Sequence, residues 1–216
     1  MRSTSDIAQR RALARATDDP DYRVRRAELI KTAAVVFRRK GYGAAKLQDI
    51  AEEVGIDRAS VYYYVSGKEE LYQEVVAEAV QDNVAMVEGL RSQEASAIWK
   101  LSAFIEGLMA SYERHYPYLY VYVQEDMAHM DGDTAWTRKM RELSRRFDEA
   151  VREIIQKGLD DGSLTPAIAD ARLLANAVIG MCNWSHRWYQ PGGPSSAAEV
   201  GRAFSTLLLH GLARTK

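Results

Sequence analysis

The chain has 216 residues, of which 47% are apolar and 27% charged, with a net charge of −1; this is enough chain for a hydrophobic core and the wrong composition for wholesale disorder. A single cysteine, Cys182, excludes an internal disulfide framework and suits a reducing compartment. No apolar run approaches the roughly 18–20 residues of a membrane span, and the first residues lack the apolar stretch of a secretory signal, so a cytoplasmic location without a membrane partner is expected.

The near-neutral total hides an asymmetry. Residues 1–68 carry fourteen Lys and Arg against nine Asp and Glu, whereas residues 69–216 carry fifteen against twenty-one. A basic N-terminal third on an acidic body suggests a small polyanion-binding module. Residues 1–20 hold few large apolar side chains and end in Asp18, Asp19 and Pro20. They read as a flexible basic arm whose Arg2, Arg10, Arg11 and Arg15 are within reach of DNA phosphates. Residues 22–40 place Ile30, Ala33, Ala34 and Phe37 at helical spacing with basic residues off that stripe, and Gly41 ends the pattern.

Residues 47–68 hold two short helical patterns around a glycine. Leu47, Ile50, Ala51 and Val54 recur at helical spacing, Gly55 breaks the run, and Asp57 is placed to cap a second helix through Val61 and Tyr64. This is the outline of a helix-turn-helix, whose second helix enters a DNA major groove. Phe37, Leu47, Ile50, Val54, Val61 and Val65 are its expected core. A longer helix follows from about residue 68 to 90, with Val75, Val76, Ala79, Val80, Ala85 and Met86 on its apolar side.

GYGAAKLQDIAEEVGIDRASVYYYVSGKEELYQEVV closely resembles the N-terminal DNA-binding domain of the TetR family of bacterial transcriptional regulators. The resemblance is carried by Phe37, Gly41-Tyr42, Asp49-Ile50-Ala51, Val54-Gly55-Ile56, Val61-Tyr62-Tyr63-Tyr64 and Lys68-Glu69-Glu70-Leu71. It implies that Lys46 and Gln48 begin the first motif helix facing DNA, that Arg58, Ala59, Ser60, Tyr62 and Tyr63 lie on the recognition helix with Tyr64 just after them, and that Lys68 starts the next helix. The chemistry of these side chains divides the work in the same way. Arg58 suits a guanine edge, Gln48 adenine, and Ala59 a thymine methyl, whereas Lys46, Ser60, Tyr63, Tyr64 and Lys68 suit phosphates. Tyr62 is open between packing and DNA contact.

Beyond residue 91 the pattern is helical throughout: residues 97–114, 117–130, 134–160, 170–190 and 197–213, with Pro191-Gly192-Gly193-Pro194 a clear break. The expected fold is therefore all-α. It comprises the arm (residues 1–20), a three-helix helix-turn-helix DNA-binding domain (21–68) and a larger helical ligand-binding and dimerisation domain (69–216). The last two helices are apolar around much of their circumference and need a second partner, best supplied by another copy of the chain as a homodimer. Such a dimer would read a pseudo-palindromic operator.

Aromatic residues concentrate between Trp99 and Trp188. Trp99, Met109, Tyr112, Tyr122, Met127, Trp136 and Trp184 are candidates to line an apolar cavity for a bulky small-molecule effector. Asn176, Gly180, Asn183 and Arg187 form a polar stripe that serves either ligand or dimer interface. Residues 187–194, with Val200-Gly201 following, resemble TetR members that respond to acyl-CoA thioesters, which implies Arg187 as partner to an anionic end. A TetR-type efflux regulator responding to a drug-like ligand is the variant within the family. The competing class is a metal-dependent enzyme using Glu125 and His129, four apart on one helix face beside Asp126. No GxSxG, Walker loop, HExxH or CxxC accompanies that pair, so neither an enzyme nor a cofactor is expected.

Overall fold

The structure is a computed structural model that describes residues 4–17, 19–124, 133–165 and 170–212. Among the described residues it contains ten α-helices, one 3-10 turn and no extended strand. The chain divides into two compact units, residues 1–78 and 79–216.

The first unit holds α1 (Thr4–Ala16), α2 (Pro20–Lys40), α3 (Leu47–Val54), α4 (Arg58–Tyr64) and the first turns of α5 (Lys68–Ser92). The starts of α2 and α4 are chemically specified. Asp19 accepts the main-chain N–H of Asp21 at 3.0 Å with Pro20 in the first turn of α2, and Asp57 accepts that of Ser60 at 2.9 Å to open α4. Gly55, at φ 78°, lets α3 end in a left-handed residue and turn sharply into α4. Phe37, Leu47, Ile50, Val61 and Val65 are buried as the patterning predicts, while Val54 is only partly covered.

Two features differ from the sequence reading. The first twenty residues are not simply an arm: Thr4–Ala16 is helical, buries Ala14, and ties Arg11 Nη1 to the Tyr62 carbonyl at 3.0 Å. The unit also extends past Lys68, because Tyr72 packs on Phe37 and Tyr42, and Arg26 on α2 pairs with Glu70 and Glu74 on α5.

The second unit comprises the rest of α5 with α6 (Ala97–Arg114), α7 (Tyr118–Gln124), α8 (Ala135–Asp160), α9 (Ala171–Trp184), the 3-10 turn Ser185–Arg187 and α10 (Ala197–Leu212). Helix α6 is central: Leu101, Phe104, Ile105, Leu108, Met109 and Tyr112 are buried, sharing one core with residues of α8, α9 and α10. Fully burying side chains of this size contributes about 1.5–3 kcal/mol each. Helix α10 lies so close to α6 that a Cβ on Gly201 would stand 3.0 Å from the Glu106 Cα. Lys100, buried, donates to the Arg91 carbonyl at 2.7 Å, satisfying an orphan acceptor in the last turn of α5.

The helix expected over residues 170–190 ends at Trp184 and tightens into the 3-10 turn. That change of pitch takes Arg187 off the stripe shared by Asn176, Gly180 and Asn183. The expected helix over residues 117–130 is described only through Gln124; Glu125, Asp126, Met127, His129 and Met130 lie outside the described residues.

Candidate DNA interface and effector cavity

In the first unit α3 and α4 present one polar edge. Lys46, Gln48, Arg58 and Ala59 are exposed, and Ser60, Tyr62, Tyr63, Tyr64 and Lys68 are partly covered. Lys46 N–H donates to the Asp49 carboxylate at 2.8 Å, which also receives Lys40 Nζ at 2.7 Å; these bonds hold the Asp49 carboxyl below its ordinary pKa, with the Lys40 contact the larger cause. Ser60 Oγ donates to Asp57 at 2.5 Å, and the Ser60 side-chain and main-chain bonds lower the Asp57 carboxyl likewise. Gln48 Nε2 reaches Glu52 at 2.8 Å, an exposed contact that competes with base recognition.

The tyrosines are positioned by a residue that motif reading leaves aside. Tyr22, buried on α2, stacks on Tyr64 at 5.3 Å, meets Tyr63 edge-on at 5.4 Å and donates its hydroxyl to the Tyr64 carbonyl at 3.1 Å. Burial raises the Tyr64 hydroxyl pKa, so it remains a donor at neutral pH. Lys68 stands apart from the other sequence-selected residues. Its ammonium donates to the carbonyls of Tyr42 at 2.7 Å, Ala45 at 3.0 Å and Gly43 at 3.3 Å, and lies 4.4 Å from the Tyr42 ring centroid. Three donors on three carbonyls leave none for a phosphate, so Lys68 closes the connection between α2 and α3 instead. Helix α1 lies against α4: Asp6, Ile7 and Arg10 share a cleft with Ala59, Ser60 and Tyr63.

The second unit holds a partly open cavity of about 140 Å³ between α5, α6, α7, α8 and α9. A volume near 150 Å³ accommodates a benzene-sized group, smaller than the bulky effector expected. Its walls are apolar and aromatic, with Leu108, Leu119, Val123, Phe147 and Ile179 among them. Asn83, Tyr112, Ser144, Asp148 and Asn183 supply its polar atoms. Tyr112 donates to Asn183 Oδ1 at 2.6 Å, and burial pushes its hydroxyl pKa well up, so it stays protonated. Desolvation likewise raises the Asp148 carboxyl, although the residue as a whole is exposed.

Of the residues chosen from sequence, Tyr112, Tyr122 and Asn183 line this cavity. Met109 is packed into the core, Trp136 is partly covered on α8, and Trp99 and Trp184 are exposed. Arg187 is exposed with its guanidinium 5.0 Å from the Trp184 ring, and it is not among the cavity residues. Met127 lies outside the described residues. Sequence reasoning misses Asn83 and Asp148. Asn83 carries the available signal, a buried amide within the run Val80, Val84 and Val87 on α5. Among the described residues no group of three His, Cys, Asp or Glu could hold a metal ion, and no helix is long and apolar enough to cross a membrane. Burial pushes the Cys182 thiol up to about 12, which leaves it unreactive.

Residues 29–75 match the family model described as bacterial regulatory proteins, tetR family, and residues 94–212 match the tetracyclin repressor-like C-terminal domain. The HTH-type transcriptional repressor KstR2 of Mycolicibacterium smegmatis is 28% identical over 89% of this chain and 92% of its own length. The crystal structure of the TetR family regulator PfmR from Thermus thermophilus is 31% identical, covers 86% of this chain and 99% of that one, and gives a TM-score of 0.71. AibR, solved in complex with isovaleryl coenzyme A and operator DNA, shares the fold at 17% identity and TM-score 0.70, over 85% of this chain and 97% of its own.

Proposed function

The chain belongs to the tetR family of bacterial regulatory proteins, and from that membership we propose a repressor that a small effector releases from a pseudo-palindromic operator. It is a DNA-binding transcriptional regulator and not an enzyme. The observation that carries the DNA reading is the edge formed by α3 and α4, where Lys46, Gln48, Arg58 and Ala59 are exposed beside a rigid tyrosine cluster. Arg58 and Gln48 read base edges, Ala59 admits a thymine methyl, and Lys46, Ser60, Tyr62, Tyr63 and Tyr64 hold the backbone.

A homodimer through α9 and α10 places two such edges about one helical turn of DNA apart. Leu173, Trp184 and Leu207 support it, being large apolar side chains exposed on these two helices. The effector occupies the cavity of the second unit, and its binding is transmitted along α5, the one helix common to both units. An acyl-CoA thioester is the effector class we favour, because the cavity suits a short acyl group and because AibR was solved with isovaleryl coenzyme A.

Mobility-shift titrations on the intergenic DNA beside the coding sequence test this reading. Arg58→Ala is expected to weaken operator binding by about 1–3 kcal/mol and to relax the preference at one base pair in each half-site. Equal operator binding by Arg58→Ala and the parent protein would remove α4 as the reading element.

A further inference from the structure

One buried group in the wall of the cavity has no bond. Asn83, on α5, is 6% exposed and stands between the cavity-lining Val80 and Val84. Its amide carries two N–H donors and a carbonyl acceptor, yet among the described residues no hydrogen bond reaches it. The hydroxyls of Ser111 and Ser185 also lack partners among the described residues, but they are sealed in the core, whereas the Asn83 amide opens on the cavity. Burying an amide unbonded is unfavourable, and an apolar side chain of similar size would fill the position without that cost. The amide is therefore a group waiting for a partner.

A second helix supplies another donor. Tyr112 gives its hydroxyl to Asn183 Oδ1 at 2.6 Å, which fixes the sense of that amide and leaves Nδ2 to donate. Two helices thus bring amide N–H groups to one small apolar cavity. Among the described residues no Lys or Arg lines it, and Asp148 does, so an anion would find no counter-charge there and a carboxyl group beside it. An ammonium brings donors only and leaves Asn183 Nδ2 without an acceptor. An uncharged carbonyl oxygen accepts from either amide and asks for no counter-charge.

We propose that Asn83 is the specificity-determining residue of this cavity, pairing its amide with an uncharged carbonyl carried on a small apolar group. A hydrocarbon of the same shape is rejected because it leaves the amide buried and unbonded. The proposal rests on the reading of the cavity as the effector site and concerns only the part of a ligand that lies inside it. The bond it assigns falls on α5, the helix common to both units.

Benzamide, benzoate, benzylammonium and isopropylbenzene share nearly one shape and differ in the polar group. Titrated into the isotope-labelled full chain, they are followed by nuclear magnetic resonance, with the methyl signals of Leu108 and Ile179 reporting occupancy and the side-chain amide signals of Asn83 reporting the bond. Benzamide is expected to move both sets, and isopropylbenzene the methyl signals alone. In Asn83→Leu, which should be at least as stable to heat as the parent, the ratio of benzamide affinity to isopropylbenzene affinity should fall by about tenfold or more. An unchanged ratio overturns the proposal, as does benzamide that moves the methyl signals and not the Asn83 amide, or tighter binding of benzoate or benzylammonium than of benzamide. In each of these cases an occupied cavity leaves the effector reading standing. If no probe moves the Leu108 and Ile179 signals, the proposal falls together with the cavity as effector site. Should Asn83→Leu not fold, the amide signals of the parent decide alone: a shift with benzamide supports the proposal and constancy overturns it.

Discussion

An ammonium group has three N–H donors, and Lys68 has a main-chain oxygen for each of them. Its position at the start of α5 makes it look like a phosphate clamp in sequence, but its bonds close the loop that delivers α3. Lys68→Met is therefore expected to lower the stability of the protein by about 1–3 kcal/mol, since it strands the part-buried carbonyls of Tyr42 and Ala45. Urea unfolding would register that loss, whereas the slope of log affinity for DNA against log salt should remain as in the parent, because no phosphate contact disappears. A slope reduced by about one would return Lys68 to the DNA interface. Asp57 makes the complementary case for pH. Its bonds from the Ser60 side chain and main chain hold its folded carboxyl pKa below the ordinary value of 3.8, so the capping contribution is present above that value and is lost as pH falls through the lower folded one. Asp57→Asn keeps a capping oxygen but cannot titrate. Its acid-unfolding curve, followed by helical circular dichroism, should lack that part of the pH dependence, and a curve superimposable on the parent would show the cap to be unimportant.

At the scale of elements, α1 and α4 compete for the same space. Asp6, Ile7 and Arg10 of α1 line a cleft with Ala59, Ser60 and Tyr63, three of the residues assigned to DNA. A major groove about 12 Å wide admits one helix about 10 Å across and not two side by side. If α4 enters the groove as proposed, helix α1 has to leave it first. Among the described residues its attachments include the buried Ala14 and the Arg11 bond to the Tyr62 carbonyl. Removing residues 1–17 is accordingly expected to raise the association rate with operator DNA severalfold in stopped-flow anisotropy. A slower rate would mean that the arginines of this segment guide the encounter instead. The same helix marks where sequence reading stops. Helix α4 is legible because Gly55, Asp57 and Val61 specify a turn, a cap and a buried face within a few residues. Helix α1 is not, because its partner is a carbonyl fifty-one positions away. The cavity is half legible for a related reason. Tyr112, Tyr122 and Asn183 belong to the expected set, but five helices converge on the site and composition alone does not say which aromatics turn inward. Trp99 and Trp184 face outward, and Asp148 carries no local pattern that distinguishes it from any other charge on α8.

For the proposed homodimer the decisive quantity is the coupling between two identical reading edges. Helix α9 carries Leu173, Gly180 and Trp184 at intervals of seven and four, the same helical face, and a Cβ built on Gly180 meets nothing within 4 Å. Leu173, Trp184 and, on α10, Leu207 are 50%, 60% and 70% exposed, which is a large apolar surface to leave in water. A second copy packed there would bury all three, with Gly180 allowing close backbone approach. Leu207→Glu places a charge on that surface without disturbing the core of either unit, so the chain should fold normally but sediment as a monomer. Binding then separates into two terms. A single reading edge keeps its intrinsic affinity, so a DNA carrying one half-site should bind the variant as it binds one edge of the parent. The full operator should bind far more weakly, because the second edge no longer arrives at the high effective concentration that a fixed dimer provides. Analytical ultracentrifugation and anisotropy on both DNAs measure the two terms together. A monomeric Leu207→Glu that still holds the full operator with parental affinity would show that α9 and α10 do not set the spacing of the recognition helices.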